Sequence, residues 1–214
     1  MNVGAGTGSY EPTDRTVIAV EPSAAMIAKR PPSAALFRQG YAESLPLKTN
    51  SVDAAMAIST LHHWNDVRAG LRELRRVARS RVVILAWDKS FAGTFWLTNT
   101  YIPELERWTL ANVPSLAEIE QELGPLTRQP LPVARDCSDG FLRAFWARPE
   151  AYLDISVYRN ISQFNLVPEH AINAGTERLR EDLESGVWDE RFGHLRQLDQ
   201  LDLGYCLLIA SVKS

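Results

Sequence analysis

The chain has 214 residues and a mass of 24.0 kDa, 45% of them hydrophobic and 23% charged, the mix of one folded soluble domain with room for an insertion. A formal charge of −3 excludes the basic footprint of a general nucleic-acid binder, and no apolar run approaches the roughly 18 residues of a membrane span. Cys137 and Cys206 lack CxxC spacing, and residues 1–8 lack the basic and apolar regions of an export signal, so reduced thiols in a cytoplasmic protein are expected.

The chain opens on a glycine-rich loop at residues 3–8 (VGAGTG), followed by an apolar run at 16–20 that ends on Glu21. Ser23 is placed to cap a short helix from Ala24 through Met26 and Ile27, which Pro31 and Pro32 stop. Residues 36–39 read as a strand, 40–46 as a turn, and 52–58 as a strand buried on both faces. A helix over 65–79 and a strand over 81–87 follow. Strands alternating with helices predict an α/β fold, a doubly wound and mostly parallel sheet. On the helix over 65–79, Arg68, Arg72, Arg75, Arg76 and Arg79 form one stripe beside Val67, Leu71, Leu74 and Ala78, which predicts a solvated face.

Beyond Asp88 the pattern changes. Aromatic residues recur at helical spacings through residues 91–108, and a helix over 116–123 stops at Gly124-Pro125. Residues 136–164 are again rich in aromatics, a helix is expected over 176–185, and residues 204–212 are apolar enough for a last core strand. Asp136, Asp139 and Asp154 are too irregularly spaced to predict a metal site, so none is expected.

Three features bear on chemistry. Glycines at 4, 6 and 8 let a loop adopt positive φ and bring backbone amides close to a ligand. Glu21 closes the next strand, 13 residues after Gly8, where an acid in an open parallel sheet faces the ligand crevice and can accept two hydrogen bonds from a ribose diol. A dinucleotide fold instead expects GxGxxG, a full first helix and an acid about 20 residues further on. Here the third glycine comes one position early, and residues 9–15 are too short and broken for that helix. The turn at 40–46 lies after the third strand, where an adenine ring can rest against backbone amides.

Read in order, residues 3–8, 19–23 (AVEPS), 42–46 (AESLP), 52–54 (VDA) and 61–64 (LHHW) resemble the motifs of class I S-adenosylmethionine-dependent methyltransferases. More narrowly they resemble the small-molecule group of the ubiquinone/menaquinone-biosynthesis type. The resemblance implies a Rossmann-like sheet with an antiparallel last strand and a helical insertion before the last strands. It implies one domain, 1–214: a cofactor-binding half at 1–88, a substrate-covering insertion and strand at 89–170, and the last helix and core strand at 171–214. It further implies S-adenosyl-L-methionine as cofactor and a small-molecule methyl acceptor at oxygen, nitrogen or carbon. Backbone at Gly4, Ala5, Gly6 and Gly8 would wrap the methionine and ribose portions, and Glu21 would take the ribose hydroxyls. Met26 would pack on the adenine, Ala42 and Glu43 would border it, and Ser59 would lie near the methionine portion.

Two positions depart from the family pattern: Asn2 stands where an acid usually precedes the loop, and Tyr41 where Asp is common. Only Met1, Asn2 and Val3 precede Gly4, so the central strand and a leading helix are expected to be missing, as in an N-terminally truncated chain. For any proton removal, His62 and His63 are the candidate bases, since histidine titrates near neutrality and the pair follows a strand end. Capping or packing is their alternative role. Two other readings stay open: a catalytically silent cofactor-binding module of the same fold, and a nicotinamide-dependent oxidoreductase. Oligomeric state is not specified.

Overall fold

The computed structural model describes residues 1–212, and its contacts divide the chain into two compact units. Met1–Asp88, Val113–Gln129 and the chain from Cys206 onward form the first unit; Lys89–Asn112 and Pro130–Tyr205 form the second.

The first unit is built on a seven-stranded sheet. Its strands are β1 (Asn2–Val3), β2 (Ile18–Glu21), β3 (Leu36–Gln39), β4 (Val52–Ile58), β5 (Ala78–Trp87), β6 (Leu126–Pro130) and β9 (Tyr205–Ser211), in the spatial order β3-β2-β1-β4-β5-β9-β6. Pairings among β1 to β5 are parallel. β9 runs the other way: Val212 N–H donates to Ser80 O at 2.8 Å, so the end of β9 meets the beginning of β5. Val52–Ile58 is apolar enough to sit centrally, with Ala55 and Ala57 buried, as its near-continuous apolar run predicts.

The central slot that was expected to be missing is filled by two residues. Asn2 pairs with Ala19 on one side and Met56 on the other, and Val3 pairs with Val20. The ladder continues at both ends, because Met56 N–H donates to Met1 O and Gly4 N–H to Val20 O, each at 2.9 Å.

Few helices cover this edge of the sheet. No helix forms in residues 4–17, and α1 (Ala24–Ala28) has five residues, none buried. Ser23 caps it as predicted, accepting from Met26 N–H at 3.3 Å. All four residues of β3 are exposed. On the other side of β1, α2 (Val67–Val77) packs Leu71, Leu74 and Val77 into the core. It starts later than the expected 65–79 because Asp66 is the cap, accepting from Ala69 N–H at 2.9 Å. It ends sooner because Ala78 is extended and already pairs with Val52. α4 (Leu116–Leu123) lies against α2 and begins with a capping box of Ser115 and Glu118. The arginine stripe is solvated, as expected, but also tethered. Arg68 and Arg72 pair with Glu122, Arg75 donates to Glu122 O, Arg76 pairs with Glu73, and Arg79 with Asp53.

The second unit is mostly helical. It holds a π-helical turn (Leu97–Tyr101), α3 (Pro103–Asn112), α5 (Ile155–Tyr158), α6 (Glu169–Glu184) and α7 (Val187–Phe192). A small antiparallel pair joins β7 (Val133–Ala134) to β8 (Gln200–Leu201). The helix expected at 176–185 therefore begins seven residues earlier. Gly175 lets it lie close to Ile102, since a Cβ there would stand 2.3 Å from Ile102 Cγ1. Trp96, Trp146, Tyr152 and Trp188 fill the centre. Arg143 and Glu106 form a buried ion pair at 2.8 Å, with Glu106 also accepting from Gly93 N–H at 2.9 Å. Among the described residues no helix is long and apolar enough to cross a membrane.

Candidate functional site

The glycine loop leaves the C-terminal end of β1, and its shape requires glycine. Gly4 has φ +67, and a Cβ on it would stand 2.0 Å from Thr60 Oγ1. That close approach locks the loop to the end of β4, where Ser59 itself takes a left-handed φ of 53, a strained conformation that side chains rarely adopt. Gly6, at φ +54, is different: a Cβ there would meet nothing within 4 Å. One side of the loop is thus packed and the other is open. Gly8 N–H donates to Ala5 O at 2.9 Å, closing the turn, and Ala5 is buried.

Glu21 is the hub of the site. It is 6% exposed, and its two carboxylate oxygens grip two segments at once: Oε2 accepts from Gly6 N–H at 2.8 Å and Oε1 from Ser23 N–H at 2.9 Å. An ionised carboxylate offers about four acceptor positions, so each oxygen keeps capacity for one further donor. An acid at this strand end therefore orders the glycine loop and the start of α1.

His62 and His63 lie on a single 3-10 turn, Leu61–His63, just after Ser59 and Thr60. Their rings share one side of the turn, with centroids 4.0 Å apart and planes tilted by 47°. Burial pushes the His62 pKa down to about 4, with His63 adding to the effect. His63 is the more exposed of the two; burial lowers its pKa also, while the Glu21 charge works in the opposite direction. Burial thus favours the neutral form of both imidazoles, and most strongly for His62.

The residues expected around an adenine stand on separate supports. Met26 is 43% exposed on α1. Ala42 is buried in the first unit's core, and Tyr41 is exposed beside it, bridged to Ser44. The Glu43 carboxylate accepts from Asn65 N–H at 2.7 Å and Asp66 N–H at 3.1 Å, so it holds the start of α2. Asn2 is 2% exposed, and its Oδ1 is buried without a hydrogen-bond partner. Among the described residues, no group of three or more His, Cys, Asp or Glu could hold a metal ion.

Three contributors are invisible in the sequence motifs. Thr60 packs on Gly4. Arg30 donates to Gly6 O at 3.0 Å and to Glu11 Oε1 at 2.5 Å. Glu11 in turn accepts from Ala35 N–H at 2.8 Å.

Comparison with known proteins bears directly on this arrangement. Residues 1–86 match the family described as "Methyltransferase domain". A crystal structure of a proposed methyltransferase from an antibiotic biosynthesis pathway of Anabaena variabilis is 31% identical, with a TM-score of 0.87, covering 98% of this chain and 90% of that one. Among curated sequences, the uncharacterized protein YafE of Escherichia coli is 44% identical over 56 residues, 26% of this chain and 27% of its own. The uncharacterized methyltransferase YcgJ of Bacillus subtilis is 28% identical over 176 residues, 77% of this chain and 62% of its own. The match thus spans about a quarter of one curated relative and under two thirds of the other.

Proposed function

The chain belongs to the class I S-adenosylmethionine-dependent methyltransferases, and on that premise we propose that it transfers the cofactor's methyl group to a small-molecule acceptor. One observation carries the reading. The Glu21 carboxylate straddles the Gly6 and Ser23 amides, while a Cβ on Gly6 would enter open space. An acid beside an open glycine cradle fits a ribose diol and the chain attached to it. When bound, S-adenosylmethionine supplies a methyl carbon on a positively charged sulfur, an electrophile with a good leaving group.

The protein's own work is binding, alignment and proton handling. Backbone at Gly4, Ala5, Gly6 and Gly8 shapes the cradle, Glu21 accepts from hydroxyls, and Met26, Ala42 and Glu43 border the base. Ser59, on its strained strand end, stands beside the methionine portion. His63, whose neutral form burial favours and which lies in the field of Glu21, receives the proton an acceptor gives up, with His62 beside it.

Calorimetric titration with S-adenosylmethionine, S-adenosylhomocysteine and NAD tests the reading. Binding of the first two is expected, with Glu21→Ala weakening it by about 1–3 kcal/mol. Gly6→Ala, whose Cβ meets nothing but whose φ of +54 strains any side chain, should cost about 1–2 kcal/mol of stability and lose affinity as the cradle fills. Binding of NAD alone would overturn the assignment. Replacing His63 with Gln should reduce kcat by about a hundredfold while leaving cofactor affinity near wild type, if it is the base.

Asn2 favours a second reading, a silent cofactor-binding module. Where the family pattern has an acid, its amide offers no charge, and its oxygen is buried without a partner. Cofactor binding without methyl transfer to any metabolite pool would decide for this module.

A further inference from the structure

We infer that the buried ion pair of Arg30 and Glu11 clamps the glycine loop in its ligand-ready shape, which makes Arg30 a positioning residue for cofactor binding. The inference rests on the reading of this loop as the S-adenosylmethionine cradle.

Both side chains are almost fully shielded, Arg30 at 4% and Glu11 at 6% exposure. Arg30 joins three separate pieces of chain: it donates to Gly6 O at 3.0 Å, Glu11 Oε1 at 2.5 Å and Ala35 O at 3.1 Å. Glu11 completes the circuit by accepting from Ala35 N–H at 2.8 Å. The loop is thereby fixed to the segment between α1 and β3.

Gly6 shows what the clamp accomplishes. Its N–H is held by Glu21 and its C=O by Arg30, so opposite charges fix the peptide groups on both sides of one residue. Gly6 has a positive φ and open space beside its Cα, so packing does not fix it. A parallel crossover is normally steadied by an amphipathic helix, yet residues 4–17 contain none. The ion pair stands in for that helix.

Stability alone is a poor explanation for the pair. Buried ion pairs are often replaceable by apolar residues without loss, since desolvation offsets most of their attraction. Arg30 Nε is buried with no hydrogen-bond partner, so the guanidinium is placed to reach three acceptors and not to satisfy every donor. Lysine, whose three donors radiate from one compact nitrogen, cannot reproduce the planar fork that reaches Gly6, Glu11 and Ala35 together.

Arg30→Met alone would strand the Glu11 carboxylate, so the informative variant is Arg30→Met with Glu11→Gln, which removes both charges. Hydrogen exchange and calorimetric titration with S-adenosylhomocysteine are read side by side. Faster exchange confined to residues 4–11, with β4 and β5 unchanged, is expected, together with affinity reduced by about tenfold to a hundredfold. Arg30→Lys should recover part of the affinity. The clamp is overturned if the double variant binds within twofold of wild type, or if exchange rises equally throughout the first unit, as plain structural glue would produce. Wild-type protein that binds no S-adenosylhomocysteine would instead overturn the cofactor reading and, with it, the task assigned to Arg30 in binding; the exchange pattern would then report only on what holds the loop.

Discussion

The two units fill their interiors with different materials. Among the described residues, the first unit's buried cluster consists of Val, Leu, Ile and Ala with Cys206, and Trp64 only flanks it. The second unit's cluster contains Phe95, Trp96, Trp146, Tyr152, Phe164 and Trp188. A pleated sheet presents a regular surface whose backbone is already paired, so small branched side chains close the gap to a helix. Short helices and turns leave irregular volumes and stray carbonyls. Large rings fill the former, and their polar tips satisfy the latter. Trp96 Nε1 donates to Trp146 O at 2.8 Å, Trp146 Nε1 to Val133 O at 3.1 Å, and the Tyr152 hydroxyl to Leu142 O at 2.7 Å. In one unit the ladder holds the backbone; in the other, side chains do much of that work.

Removing a ring should therefore do the most damage. Trp146→Ala, at a fully buried position, is expected to cost about 3–5 kcal/mol by denaturant unfolding, because cavity and lost hydrogen bond add. Leu74→Ala on α2, equally buried, should cost about 2–5 kcal/mol through the cavity alone. If Leu74→Ala proves the more destabilising of the two, the polar tips contribute little and the contrast fails.

Titration sharpens the comparison next. The folded His62 pKa of about 4 lies below its ordinary 6.5, so the unfolded chain binds the proton more readily. Stability in the first unit should then fall as pH drops from 6.5 towards 4, by on the order of 2 kcal/mol from this group. His62→Asn should flatten that slope. Tyr152 behaves oppositely. Burial raises its pKa above the ordinary 10.0, so it stabilises below pH 10 and that contribution is lost as pH rises further. Tyr152→Phe should flatten the alkaline slope and leave the acid one intact, followed by unfolding across both limbs. The smallest effect belongs to the exposed charges: Arg72→Ala breaks the 3.2 Å pair with Glu122 and should cost about 0.2–1 kcal/mol in a melt, less at high salt.

How much of this was legible in the sequence follows the same division. Strands β2, β4, β5 and β9 lie where apolar runs place them, because sheet burial writes itself as continuous hydrophobicity. Caps at Ser23, Asp66 and Ser115 are local chemistry, though only Ser23 was read. Glu21 was found by its strand end. β6 was missed since Thr127, Arg128, Gln129 and Pro130 are exposed and look like a loop. The start of α6 was obscured by Asn173 and Gly175, poor helix formers, of which Gly175 allows the close approach to Ile102. Within the site, the Glu43 carboxylate also accepts from the Asn65 and Asp66 amides at the start of α2, a contact that no motif announced. Arg30 and Glu11 left no signal, because an ion pair between residues 19 apart has no period to detect.

The second unit is strung from two excursions of chain, and each leaves and returns by the same doorway. Lys89 Nζ reaches Leu110 O at 2.8 Å, near the two ends of the first excursion, and Leu131 N–H meets Tyr205 O at 2.8 Å, at the two ends of the second. Insertions between such paired ends tax the sheet only through the entropy of a longer closure, about 0.6 kcal/mol for each doubling of length. The strands of the sheet can accordingly stay constant while the excursions are lengthened, shortened or exchanged.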